Sequence, residues 1–244
     1  MSNSPVRRVL LTASQGSIPG LAGGLIARGV EAVEHPLIRF APPDDWTPLD
    51  RSLASIERFQ AIAVTSPRAA LALVRRLPSQ PCPVPAWATG AITSQLLSAV
   101  MTTVHVARGG EAHGAAEAVA DAILHAGVGS PVLFPCGDLH RQALVFRLET
   151  AGVRVESVIC YRSVLSSPEE ARAACAGFDL LVVASPSVAR LLADSIPAPE
   201  RPRLLAAGGT TAAAAEQAGW PADGVARHPA AEDVLEALSL LQPT

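Results

Sequence analysis

The sequence predicts an α/β protein of two similar doubly wound parallel-sheet domains joined by a two-stranded β hinge, and three observations carry that expectation. Aliphatic, strand-like runs alternate with helical patterns along the chain, which implies parallel sheets with helices on both faces. The stretch AIAVTSPRAALALVRRL at 61–77 is echoed by LLVVASPSVARLLADSI at 180–196, each passing from apolar residues through Ser-Pro into a helix. Equivalent landmarks, Gly29 with Gly152, Ser66 with Ser185 and Gly90 with Gly208, recur at offsets of 123, 119 and 118 residues. A repeat of about 120 residues, the ordinary size of one domain, therefore fills the chain.

The elements follow in the same order in both halves. RVLLTASQGSIPGLAGGLIARGVEAVEHPLIRF near the N-terminus reads as strand, turn, helix, a glycine stop at Gly29 and a strand; PVLFPCGDLHRQALVFRLETAGVRVESVICYRSV reads alike, with Gly152 as its stop. At Ser66 and Ser185 a hydroxyl stands where an N-cap belongs, and Pro67 and Pro186 suit the first helical position, which needs no N–H. PVPAWATGAITSQLLSAV and TTVHVARGGEAHGAAEAVADAIL then follow the first Ser-Pro helix, as RPRLLAAGGTTAAAAEQAG and GVARHPAAEDVLEALSLL follow the second. The long extended stretches at 30–43 and 153–164 occupy equivalent places and read as crossovers between domains. They set one domain as residues 1–38 with 164–244, an inserted domain as 42–160, and hinge strands at 39–41 and 161–163, with APPDDW at 41–46 as an exposed lead-in.

Composition narrows the function. The 244 residues are 49% hydrophobic and 17% charged, with 22 acidic against 19 basic side chains, so the chain is globular and lacks the basic surplus of a nucleic-acid binder. No apolar run reaches the length of a membrane span, and the apolar part of MSNSPVRRVLLTAS is too short for a signal peptide, so a cytoplasmic protein is expected. Cys82, Cys136, Cys160 and Cys175 fall in no C-x-x-C spacing and read as buried small hydrophobes. The six histidines are scattered, with only EAH at 111–113 suggestive, so no metal is expected. The glycines at 16, 20, 23 and 24 form no phosphate-cradling motif, and there is no G-x-S-x-G.

In doubly wound sheets ligands bind beyond the carboxyl ends of the strands, where Ser66, Gly90, Gly137, Ser185 and Gly208 all fall. Free backbone N–H groups and the helix dipole make such helix starts anion sites, although each is equally a plain cap. Two domains facing one another would line a shared cleft with them, a common kind of ligand site.

Six fragments in this order, VTSPRA (64–69), GAIT (90–93), LFPCGDLHRQAL (133–144), VESVICYRSV (155–164), ASPSVARLL (184–192) and AAGGTTAAAAEQAG (206–219), resemble uroporphyrinogen-III synthase over nearly the whole chain. The resemblance implies two flavodoxin-like domains joined by a β-ladder and a cofactor-free, cytoplasmic enzyme of tetrapyrrole biosynthesis. It would close hydroxymethylbilane with inversion of ring D, through an azafulvene and a spiro intermediate. The resemblance also places Tyr161, the only tyrosine, on a hinge strand facing the cleft, as the group that hydrogen-bonds the departing hydroxyl; a tyrosine packing the hinge is the other reading. The substrate's carboxylates would meet Ser66, Arg68, Thr93, Gly137, Arg141, Ser185, Ser187, Arg203, Gly209, Thr210 and Thr211. For each arginine a solvated surface position, and for each hydroxyl simple capping, stands beside that role. The expected partners are the small-molecule substrate and, transiently, the deaminase that precedes it, with the chain itself a monomer.

Three departures stand out: Ala13 follows the first strand where the family pattern has arginine, GG replaces Gly-Pro before the threonine pair, and WATG replaces a more usual valine-glycine. They keep open a paralogue with altered ligand preference, or a two-lobed cytoplasmic binding protein that closes on a polyanion. A nucleotide-dependent enzyme on the same fold has no phosphate loop to support it.

Overall fold

The computed structural model describes residues 5–14, 16–78, 81–107, 115–139 and 142–241, and every structural statement concerns these. Along the chain run β1 (Arg8–Leu11), α1 (Leu21–Ile26), β2 (Glu31–Glu34), β3 (Ile38–Ala41), α2 (Thr47–Ala54), β4 (Ala61–Val64), α3 (Pro67–Arg76), β5 (Ala86–Thr89), α4 (Ala91–Leu97), β6 (Val104–Ala107) and α5 (Ala115–His125). They are followed by β7 (Val132–Gly137), α6 (Ala143–Thr150), β8 (Val155–Leu165), α7 (Pro168–Cys175), β9 (Leu180–Val183), α8 (Pro186–Ser195), β10 (Arg203–Ala206), α9 (Gly209–Gln217), β11 (Gly224–Val225) and α10 (Ala231–Leu241). The chain divides into two compact units, Met1–Arg39 with Val164–Thr244, and Phe40–Ser163. It changes unit within β3 and again within β8.

The first unit holds a five-stranded sheet in the order β11-β10-β9-β1-β2, all neighbours parallel. LLVV in β9 is buried throughout, as a strand covered on both faces must be. Because side chains alternate across a strand, Leu10, Leu181, Val183, Leu204 and Ala206 pack with α7, α8 and α9 on one face. Val9, Leu11, Leu180, Val182 and Leu205 pack with α1 and α10 on the other.

The second unit holds a six-stranded sheet, β3-β8-β7-β4-β5-β6, in which the strands from β8 to β6 are parallel. Ile62, Val64, Ala86, Ala88 and Leu133 meet α2, α3 and α4, while Ala61, Ala63, Trp87, Val132 and Phe134 meet α5 and α6. Apart from the edge strand β3, and counted from β7, the start of the second repeat, the other five strands have the order 2-1-3-4-5, the same as the first sheet counted from β1. The register agrees too: Val9 faces Ala32 as Val132 faces Val155, pairs 123 residues apart.

Two local expectations need correction. VEAVEHPLIRF is not one strand; it breaks at 35–37, because Pro36 has no N–H to donate, and Leu37 donates instead to Thr12 O at 3.1 Å. The two Ser-Pro starts also differ. Ser66 accepts from Ala69 N at 3.1 Å, whereas Ser185 occupies the N-cap in extended backbone with no side-chain capping bond. The full capping box belongs to a third Ser-Pro start, Ser167 with Glu170, whose S-x-x-E spacing is legible in the sequence.

Candidate active site

In the second unit the carboxyl ends of β4, β7 and β8 bring together Ser66, Gly137 and Tyr161. The β7–β8 pairing shifts between Cys136 and Gly137, so that Cys136 faces Ile159 but Gly137 faces Tyr161. Such an irregularity re-aims the side chain that follows it. Asp138 fixes the result: its N–H donates to Tyr161 O at 3.2 Å, and its Oδ1 accepts from Leu139 N and Ser163 N, both at 2.9 Å. Gly137 is buried directly under the ring. A Cβ there would stand 2.6 Å from Tyr161 Cε2 and Cζ and 2.9 Å from its hydroxyl oxygen.

Around Tyr161 lies a compact aromatic and cationic set. Phe40 meets the tyrosine edge to face at 5.9 Å between centroids, and the Arg68 guanidinium lies 3.3 Å over the Phe40 ring. Burial raises the Tyr161 pKa above its ordinary value of 10, against a hydrogen bond with Ser66 and the charge of Arg68, which act to lower it. The phenol is therefore protonated at neutral pH and available as a donor. Burial pulls the Arg68 pKa down, the Tyr161 interaction opposing, yet a guanidinium remains charged under any such shift. Phe40 and Asp138 were not singled out from sequence, since neither a phenylalanine in an extended stretch nor an aspartate in a turn signals a role before its neighbours are known.

The first unit offers a plainer set. Ser185 and Ser187 are half-buried at the start of α8, and Gly209 and Thr210 are exposed at the start of α9. Thr93 and Thr211 occupy matching positions in α4 and α9, and both are buried, at 2% and 4% exposure, which removes them from the surface offered to a ligand. Arg203 begins β10, at the amino end of the sheet, and donates to Leu241 O at 2.9 Å. That places it away from the carboxyl ends where the other residues gather. Arg141 lies outside the described residues.

Other chemistries find little footing. Among the described residues no three His, Cys, Asp or Glu side chains converge as a metal site. All four cysteines are free and buried. Burial pushes the thiols of Cys136, Cys160 and Cys175 up to about 12, so none is a thiolate nucleophile at neutral pH. No helix among the described residues is long and apolar enough to cross a membrane.

Known proteins resemble this chain in sequence and in fold. A uroporphyrinogen-III synthase from Synechococcus elongatus is 28% identical over 178 residues, 67% of this chain and 64% of the relative, so the match spans under two thirds of that protein's length. Among solved structures, the uroporphyrinogen-III synthetase of Helicobacter pylori aligns over 96% of this chain and 99% of its own, with a TM-score of 0.63 at 22% identity. A mutant uroporphyrinogen III synthase from Thermus thermophilus aligns over 96% and 98%, with a TM-score of 0.58 at 15% identity. At such identities the structures speak for the fold. The family model described as uroporphyrinogen-III synthase HemD matches residues 20–236, and the chain belongs to the uroporphyrinogen-III synthase family.

Proposed function

We propose that the chain closes linear hydroxymethylbilane to uroporphyrinogen III, losing water and inverting ring D. The Tyr161 phenol, kept protonated by burial, donates to the hydroxyl of the terminal hydroxymethyl group as its C–O bond breaks, giving water and an azafulvene cation. The substituted α-carbon of ring D attacks the azafulvene methylene and forms the spiro intermediate. Its bond to the ring C–D bridge then breaks and re-forms at the other α-carbon of ring D, whose proton leaves. No group is oxidised or reduced, so the path as written calls for no cofactor. The bilane closes unaided to the uninverted isomer, so the protein's contribution is chiefly to hold a geometry that the free chain seldom adopts.

The observation that carries this reading is the Tyr161, Ser66, Arg68 and Phe40 cluster at the carboxyl ends of one sheet. Arg68 and the start of α3 suit substrate carboxylates in the second unit; Ser185, Ser187, Gly209 and Thr210 suit others at the corresponding strand ends of the first. The same reading makes the chain a cytoplasmic monomer in brief contact with the deaminase that supplies its substrate. A coupled assay tests it: porphobilinogen and a deaminase are supplied, the products oxidised, and type I resolved from type III uroporphyrin. Dominant type III is expected. Only type I from folded protein would overturn the reading and leave a binding role.

A further inference from the structure

A groove of about 250 Å³ within the second unit is lined in part by Tyr161 and Arg68, and its other lining residues have no part in the reaction path above. One wall is a single face of α3, on which Arg68, Leu71, Ala72, Arg75 and Arg76 recur at helical spacing. The opposite wall is Phe40, Pro42 and Trp46. Pockets for drug-sized ligands run to about 300–1,000 Å³, so this one suits a single ring with its substituents.

Its charges are unevenly committed. Arg76 is held by Asp50 through two bonds of 2.7 and 2.6 Å and lies 4.2 Å over Trp46, so it serves as wall rather than as a free cation. Asp44 pairs with Arg162 at 3.1 Å, and Asp45 accepts from Thr47 N at 2.8 Å. Among the described residues neither Arg68 nor Arg75 has a carboxylate partner. Their backbone positions, two helical turns apart, are about 10 Å from one another. The groove therefore presents two available guanidinium groups at separate points along an aromatic and apolar slot, and guanidinium is the side chain best shaped for carboxylate.

We propose that this groove is a subsite for one pyrrole ring bearing two carboxylate arms, flanked by Phe40 and Trp46 and gripped by Arg68 and Arg75. The assignment rests on the function proposed above, in which every ring of the substrate is a pyrrole with two such arms. Arg75 thereby becomes a substrate-positioning residue outside the set expected from sequence.

The test uses the full chain and porphobilinogen, a monopyrrole with one acetate and one propionate arm, read by tryptophan fluorescence. Saturable binding is expected, weakened about tenfold in Arg75→Gln and largely restored in Arg75→Lys. The optical signal should vanish in Trp46→Phe while binding by calorimetry persists. In the coupled assay Arg75→Gln should raise KM severalfold with kcat and the type III fraction kept, since a group that grips substrate and transition state alike acts on KM. Absence of binding to the wild-type chain, equal affinity in Arg75→Gln, a signal that survives Trp46→Phe, or equal binding of glutarate, which has the carboxylates without the ring, would each overturn the subsite. Type III product without groove binding sinks the subsite alone; groove binding without type III product sinks the proposed reaction alone.

Discussion

The carboxyl ends of the two sheets are built from one repeat and carry different chemistry. At the start of α3 stands Arg68, and the equivalent place in α8 holds Ser187, 119 residues on. Tyr161 corresponds at an offset of 123 to Ile38, which is buried in the apolar core of its own unit. Gly137, which makes room for the tyrosine ring, corresponds to Ser14. Features supplied by backbone occur in both units: a Ser-Pro helix start, a glycine before the next helix and a buried threonine three residues beyond it. Among the described residues at these equivalent places, a phenol and a guanidinium, those of Tyr161 and Arg68, occur in one. The repeat thus provides two similar backbone frames, and on the proposed reading the proton donor and the cation belong to only one of them, the donor re-aimed by the register shift between Cys136 and Gly137.

Gly137→Ala is the sharpest way to break that asymmetry. The new methyl meets the Tyr161 ring at 2.6 Å against backbone held by Asp138, so the ring must leave its place. Type III formation should fall by about 10²-fold or more, as expected when reacting groups are misplaced by about 1 Å, and overpacking should cost about 1–3 kcal/mol in urea unfolding. Ser14→Ala, at the equivalent place, should leave the type III fraction unchanged. A fully active Gly137→Ala would remove Tyr161 from the mechanism.

Tyr161→Phe asks less, since it keeps the ring and its contact with Phe40. Loss of the phenol should lower kcat by about 10- to 100-fold, at the modest end of acid catalysis because a preorganised bilane still reacts. The type III fraction should survive, since the frame that sets geometry is intact. Ile38→Val should do nothing to either.

These residues also mark how far the sequence could be read. Alternation of fully buried runs such as LLVV with Ser-Pro and Gly-stopped helices is local, and it revealed both sheets and their repeat. Gly29 and Gly152 stand at φ of 75° and 83°, the left-handed region that makes glycine the natural helix stop. The site is not local in this sense. Gly137 matters through a ring 24 positions away, and Phe40 through an arginine 28 positions away, so composition and spacing have no access to either. Ser185 shows the converse limit: the motif is present but its side chain makes no capping bond. Arg203 shows a simpler limit, since beginning a strand puts a residue at the amino end of the sheet.

Alkaline unfolding compares the units by their buried acids. The second unit holds Cys136 and Cys160, pushed up to about 12, with Cys82 and Tyr161 also raised by burial; the first holds Cys175, also at about 12. In each case the fold favours the protonated form, so its contribution is fully present below the unfolded value of 9.0 for the thiols and is lost as pH rises towards 12. At pH 10 the loss is about 1.4 kcal/mol for each thiol raised to about 12, so it is at least twice as much in the second unit as in the first. Hydrogen exchange followed from pH 8 to 10 should show strands β4 and β7 losing protection before β1 and β9; simultaneous loss would mean that the two units unfold as one.

The smallest contrast concerns the Ser-Pro pair itself. Ser66→Ala removes a bond of 3.1 Å to Ala69 N and should cost about 1 kcal/mol, the usual worth of a cap. Ser185→Ala removes no such bond and should change stability by less than about 0.5 kcal/mol. Stability alone would be explained by capping, so activity must separate the roles. Ser66 also bonds the Tyr161 phenol and lowers its pKa, and without it the phenol should titrate higher in the ultraviolet absorbance of tyrosinate. An unchanged titration, with the full cost in stability, would reduce Ser66 to what Ser-Pro supplies at any helix start and leave Tyr161 and Arg68 as the whole of the difference between the units.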